Sequence, residues 1–304
     1  MRQLEGERPT LDQRGSLERT ERAPLNVVFV LGARRTGTTL LNQILCNDPG
    51  ANPHVGECQL LTQLCAASRW AGSNYDRVVQ WYFDSRADCD RFFARTIQDF
   101  LNTAADHFGE VGKLVLKCPE FSNYKWELDR FVPQGRHVVC VRDPRDQIAS
   151  ELDVGKRQTE QNIDGEAARA YRTRDIGFLA GRLLQYYGTV LRARQDNVLY
   201  VRYEDLVLKL VDTLRDIESF TGFDLSAFDP NAAWRRFEHQ GEIQKMPAYV
   251  EQYGAPLDKS RVGRFRDSLT PAELDLILQL CGEFMDRFYP STKEGGAPAI
   301  PDIA

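Results

Sequence analysis

The segment that most limits the fold is Val27-Val28-Phe29-Val30-Leu31-Gly32-Ala33-Arg34-Arg35-Thr36-Gly37-Thr38-Thr39. Its opening run is apolar and largely β-branched, the composition of a strand buried on both faces of a parallel sheet. Gly32 supplies the backbone freedom that a sharp turn needs. A helix is expected to start near Gly37-Thr38-Thr39 and to run through Leu40, Leu41, Ile44 and Leu45, a narrow apolar stripe. A helix start presents unpaired N–H groups and the positive end of its dipole, so an anion is stabilised there. The hydroxyls of Thr36, Thr38 and Thr39 add donors, and Arg35 adds a charged planar fork suited to phosphate or sulfate oxygens. Gly32 and Gly37 hold the spacing of the ATP-binding loop G-x-x-x-x-G-K-[ST], but Thr38 stands where the lysine belongs. The expectation is an anion-cradling loop without the lysine that an ATPase aims at the γ-phosphate.

A second strand-like run, His137-Val138-Val139-Cys140-Val141, ends in Arg142-Asp143-Pro144-Arg145-Asp146. Ligands of open α/β sheets bind beyond the carboxyl ends of the strands, where Arg142 stands. Pro144 suits the first turn of a helix, where its missing donor costs little. Ser150 lies eight residues after Arg142, roughly two helical turns, and returns to the same place if that helix packs over the sheet.

Together these strings resemble the sulfotransferases that use 3′-phosphoadenosine 5′-phosphosulfate (PAPS). That family carries a loop of the form P-[KR]-[ST]-G-T-T for the 5′-phosphosulfate and a strand-turn-helix R-x-P-R-x-x-x-x-S for the 3′-phosphate. Here they stand as A-R-R-T-G-T-T and V-R-D-P-R-D-Q-I-A-S, in that order and about 100 residues apart. Arg34 replaces the frequent proline, which leaves open whether Arg34 or Arg35 faces the sulfate; position favours Arg35. Smaller matches are Lys113–Pro119, the Tyr203-Glu204-Asp205-Leu206 turn, and Ser260-Arg261-Val262-Gly263-Arg264-Phe265. The resemblance spans residues 25–290.

The resemblance implies an α/β fold with three layers, α/β/α, around a central parallel sheet. It implies PAPS as sulfuryl donor, 3′,5′-adenosine bisphosphate (PAP) as product and no metal. Donor binding would fall to Arg34, Arg35, Thr36, Gly37, Thr38, Thr39, Arg142, Ser150, Tyr203, Ser260, Arg261, Gly263 and Arg264. Arg35 and Lys117 would stabilise charge on the leaving phosphate. Glu57 would be the general base, placing the chain nearer the protein-tyrosine and carbohydrate branches, with His54 as the competing base. The acceptor is a small molecule, a saccharide, a peptide or a lipid, sulfated on a hydroxyl or amine.

The 304 residues suffice for one large domain over residues 25–290, with a Glu/Arg-rich arm at 1–24 and a Gly/Pro-rich tail at 291–304. A net charge of −5 offers no support for nucleic-acid binding. No apolar run approaches the roughly 18 residues of a membrane span, and the arm lacks a signal-peptide core, so a cytoplasmic location is expected. Seven cysteines without C-x-x-C pairing, and four scattered histidines, suggest buried thiols and no metal cluster. Residues 57–110 read as aromatic-rich helices, 153–175 as a polar helix face or lid, 176–194 and 271–288 as helices. The stretch 230–268, with Trp234, Tyr249 and Tyr253, shows little periodicity and is expected to cover the nucleotide. Two other functions compete: a P-loop kinase or NTPase using Mg-ATP, and a nucleotide-binding module without chemistry.

Overall fold

The computed structural model describes residues 24–160, 165–231 and 257–290. Strands β1 (Asn26–Leu31), β2 (Lys113–Lys117), β3 (Arg136–Val141) and β4 (Val198–Arg202) form one sheet in the order β2-β1-β3-β4. Every neighbour is parallel, with Val30 opposite Lys117 on one side and Val138 on the other. Because β1 is central, Val27 through Leu31 are at most 1% exposed. Val27, Phe29 and Leu31 face one apolar layer, Val28 and Val30 the other. Each such side chain contributes about 1.5–3 kcal/mol of burial.

Helix α1 (Thr38–Leu45) packs on the second layer with α8 (Tyr203–Leu208) and α9 (Leu210–Thr221). The first layer holds α2 (Gln59–Ser73), α3 (Arg86–His107), α4 (Lys125–Phe131), α5 (Pro144–Glu160), α6 (Glu166–Thr173) and α7 (Ile176–Arg192). After a short α10 (Phe265–Ser268), α11 (Pro271–Leu280) and α12 (Gly282–Phe288) complete it. This is the expected three-layer α/β/α fold.

The polar stretch 153–175 is helical on both sides of residues 161–164, as the end of α5 and as α6, which packs closely enough that a Cβ at Gly155 would collide with Tyr171. The helix expected over 271–288 is two helices. It breaks at Cys281, before Gly282, a poor helix former, and Phe284, Met285 and Tyr289 beyond the break are buried. The arm before residue 24, the segment with Trp234, Tyr249 and Tyr253, and the tail lie outside the described residues.

Strand order positions the site. From β1 the chain moves to β2 on one flank, then crosses to β3 on the other. The carboxyl ends of β1 and β3 therefore flank the crevice where the connection reverses, the place where α/β sheets bind ligands. Both strings singled out in the sequence emerge there.

Candidate active site

The loop after β1 is held in a conformation that few sequences could adopt. Gly32 (φ 132°), Arg35 (φ 69°) and Gly37 (φ 96°) all lie at positive φ. A Cβ at Gly32 would strike the Cys140 carbonyl oxygen, and one at Gly37 would lie 2.6 Å from the Tyr203 ring. Both glycines thus let the loop sit tightly against β3 and α8. The Gly32 N–H donates to Ser122 Oγ (3.0 Å), and the Ala33 N–H donates to the Tyr187 hydroxyl (3.3 Å). Tyr187 in turn donates to the Cys140 carbonyl (2.8 Å), and Thr36 Oγ1 to the Ala33 carbonyl (2.7 Å). Buried Thr36 is thus committed to the loop itself, while α1 begins at Thr38 with no side-chain cap on its N–H groups. A helix start without a side-chain cap, beside cationic side chains, is suited to an anion.

The two arginines diverge. Arg34 pairs with Glu120 at 2.5 Å, on the side of α7. Arg35 turns towards α5, its Nε 3.4 Å from Ser150 Oγ. Arg142 sits between the segments: its Nη1 donates to the Arg35 carbonyl (3.0 Å), its Nη2 to the Arg261 carbonyl (2.7 Å), and its guanidinium lies 4.4 Å from the centre of the Tyr203 ring. Arg35, Arg142, Ser150, Tyr203 and Arg261 therefore meet at one place. Gly263 joins them because its N–H donates to Asp146 (2.6 Å), and the Phe265 N–H donates to the same carboxylate (2.9 Å). Ser260 is exposed, and Arg264 turns away to pair with Asp153 at 3.1 Å.

On the other flank, residues 51–58 run along the β2 edge. Asn52 exchanges two hydrogen bonds with the Val115 backbone, and the Cys58 N–H donates to the Lys117 carbonyl (2.9 Å). That register places Glu57 over the end of β2, where its Oε1 accepts from Lys117 Nζ at 2.9 Å. Lys117 is buried and Glu57 is 37% exposed, so the carboxylate is the member of the pair that faces outward. His54 is buried, and burial together with the Lys117 charge pushes its imidazole down to about 3. The sequence-predicted groups fall into two clusters, Arg35/Arg142/Ser150 at β1 and β3 and Glu57/Lys117/His54 at β2, joined across β1.

Glu57, Cys118 and Glu120 hold ligand-type atoms within 4.8 Å of one another. Lys117 and Arg34 already engage the two carboxylates, and burial together with Glu120 pushes the Cys118 thiol up to about 12. All seven cysteines are free thiols. Among the described residues, no helix is long and apolar enough to cross a membrane.

Several groups at the site escaped the sequence reading. Asp146 anchors the 263–265 backbone, and buried Glu204 accepts from the Asp143 N–H (3.0 Å) and from the Tyr289 hydroxyl (2.8 Å). Tyr187 reads as one more apolar position of the α7 stripe, yet a buried hydroxyl requires a partner, and that requirement was its signal. Ser122 carries no such signal.

A sequence profile described as "Sulfotransferase family" matches residues 27–227. The chain belongs to the sulfotransferase family. No curated protein sequence matches it. Among solved structures, the sulfotransferase domain of the Synechococcus PCC 7002 olefin synthase is 18% identical, with 89% of this chain and 98% of that one covered and a TM-score of 0.53. The sulfotransferase domain from the curacin biosynthetic pathway is 14% identical, with 86% and 98% covered and a TM-score of 0.52. At these identities the likeness shows a shared fold.

Proposed function

We propose that this protein transfers a sulfuryl group from PAPS to an acceptor hydroxyl or amine, directly and in line, with Glu57 as general base. The observation that carries the reading is the meeting of Arg35, Arg142 and Ser150 beside the start of α1, which has no side-chain cap. Two phosphate-bearing ends of one nucleotide would need cationic groups from two different strands, and the switch point supplies them. The 5′-phosphosulfate would lie on residues 35–39 and the 3′-phosphate against Arg142 and Ser150, under the Arg261–Gly263 backbone.

Sulfuryl transfer needs donor and acceptor held in line and charge stabilised on the leaving phosphate. Arg35 and buried Lys117 supply fixed positive charge at the loop. Glu57, outward-facing beside Lys117, receives the acceptor proton. Lys117 holds that carboxylate in place until the acceptor arrives.

The test is thermal stabilisation by PAP, by Mg-ATP and by 5′-AMP, followed by transfer from labelled PAPS. A specific ligand at 100 times its Kd adds about 2.7 kcal/mol of stability. Stabilisation by PAP and not by the other two is the expected result. Stabilisation by Mg-ATP alone overturns the reading in favour of a kinase.

A further inference from the structure

The two edges of the sheet are finished differently. Along β2, residues 51–58 cover the edge: Ala51 bridges to Lys113, Asn52 bonds the Val115 backbone and the Cys58 N–H bonds the Lys117 carbonyl. Along β4 no strand or loop pairs with the edge among the described residues. The His137 N–H donates to the Asn197 carbonyl, and His137 is in register with Val198. In a parallel ladder that phase turns the backbone of Leu199 and Val201 towards β3 and that of Val198, Tyr200 and Arg202 outward. The Val198 N–H is spent on the Gln195 carbonyl, and the Arg202 carbonyl opens α8. Left on the edge are two donors, the Tyr200 and Arg202 N–H groups, and two acceptors, the Val198 and Tyr200 carbonyls. An open edge is a template for another strand, and neither proline nor bulge interrupts this one.

Beside this edge runs an open groove of about 220 Å³, walled by residues 199–202 on one side and by Asp205, Lys209 and Asp216 on the other. Helix α9 lies antiparallel to β4. It starts beyond the carboxyl end of the strand, and the carbonyl of its last residue, Thr221, accepts from Asn26 and Arg136 at the amino ends of β1 and β3. Lys209 therefore stands at the Arg202 end of the groove and Asp216 nearer the Val198 end. Arg202 already holds Asp205 at 2.8 Å, while Lys209 lies 3.6 Å from that carboxylate and is 63% exposed. Asp216 is exposed and makes no ion pair among the described residues. The groove thus offers a cation at one end and an anion at the other.

We propose that the β4 edge and its groove dock a second copy of this chain, joining two sheets into one of eight strands. A two-fold axis through Tyr200, perpendicular to the sheet, sets the two β4 strands antiparallel. Tyr200 then exchanges both backbone bonds with Tyr200 of the partner subunit, and each Arg202 N–H meets the Val198 carbonyl across the axis. Every open donor and acceptor on each copy is used. The same rotation brings Lys209 to the end of the groove where the partner's Asp216 stands, and Asp216 to the partner's Lys209. An unrelated strand satisfies the backbone groups, but only a copy of this chain brings the charge order reversed. Because the joined strands run in opposite directions, the two candidate active sites open at opposite ends of the sheet. This pairing is independent of the sulfuryl-transfer reading.

The experiment is sedimentation equilibrium of the full chain from roughly 0.1 to 100 µM, a range that brackets an interface of moderate affinity. A dimer that dissociates on dilution is the expected result. Lys209→Glu and Asp216→Lys each place like charges together at two points of the interface, so each should weaken the dimer about tenfold, and the double variant should recover most of that loss. Both side chains are exposed, and circular dichroism checks that each variant is folded. Hydrogen exchange on the wild type tests the edge without any substitution: the Tyr200 and Arg202 amides should exchange more slowly as the dimer forms. A chain that stays monomeric throughout the range overturns the proposal. So does a dimer indifferent to both single reversals or not recovered by the double one. Edge amides protected equally at every concentration also overturn it, since another part of the same chain would then cover β4.

Discussion

Removing Arg142 would disturb two things at once, and their separation makes a decisive measurement. Two of its donors are spent within the protein, on the Arg35 carbonyl at 3.0 Å and the Arg261 carbonyl at 2.7 Å. Hydrogen bonds from a charged donor are worth about 1.5–3 kcal/mol each, so Arg142→Ala should cost the loops roughly 3–6 kcal/mol. That loss weakens every nucleotide alike, because it loosens the frame. Of its five N–H donors three remain, one of them on the buried Nε that has no hydrogen-bond partner, and these would serve an incoming phosphate. A charge-assisted bond to phosphate is worth about 1.5–3 kcal/mol, or roughly 10- to 150-fold in affinity. Only a nucleotide with a 3′-phosphate can lose it. Calorimetric Kd values for PAP and 5′-AMP should therefore be measured on wild type, Arg142→Ala and Arg142→Lys. The ratio of the two affinities should fall by that factor in Arg142→Ala, whatever happens to each alone. Equal losses for both nucleotides would refute the assignment and leave Arg142 a purely structural staple.

Glu57→Gln should lower turnover by about 10²–10⁴ while PAP affinity stays nearly intact, and a loss below about tenfold in steady-state assays would remove Glu57 as the base. Gly37→Ala should cost at least about 1 kcal/mol in urea unfolding, because an alanine resists φ 96° and its Cβ would lie 2.6 Å from the Tyr203 ring. An unchanged midpoint would show that the ring moves aside freely. His54 should make stability fall in acid. Its folded value of about 3 lies below the ordinary 6.5, so the unfolded chain takes up the proton first as pH drops. Stability should decline by about 1.4 kcal/mol per pH unit between roughly pH 6.5 and 3. His54→Asn should flatten that slope in urea titrations repeated across the range, and an identical slope in the variant would refute the attribution.

The elements that the sequence revealed are those whose physics is local. β1 and β3 announce themselves as unbroken apolar runs because both their faces are covered. The loop was legible because positive φ demands glycine, and Gly32 and Gly37 stand where the backbone turns that way. The return of Ser150 to Arg35 follows from helical pitch once α5 is packed. Position in the loop favoured Arg35 over Arg34 as the arginine facing the sulfate, but the partners that separate them in the fold were not legible: Glu120 for Arg34 and Ser150 for Arg35. Those partners come from 86 and 115 residues away. Asp146, Glu204 and Tyr187 were missed for the same reason. In sequence they look like a surface acid, a turn acid and a core aromatic, and only the fold supplies the donors and acceptors that complete them. The break at Cys281 was hidden because the apolar spacing continues across it.

The clasp made by Arg142 has a consequence for how the protein comes into being. Its two bonds reach 107 residues back to the first loop and 119 residues forward to the Arg261 segment. A ribosome-bound chain that ends before Arg261 contains all four strands, yet it has neither the second clasp nor the backbone that Asp146 fastens. If the site binds a nucleotide as proposed, its affinity would depend on completed synthesis, and a C-terminally clipped molecule would lose that grip together with the part of the first apolar layer built by Ile277, Phe284, Met285 and Tyr289.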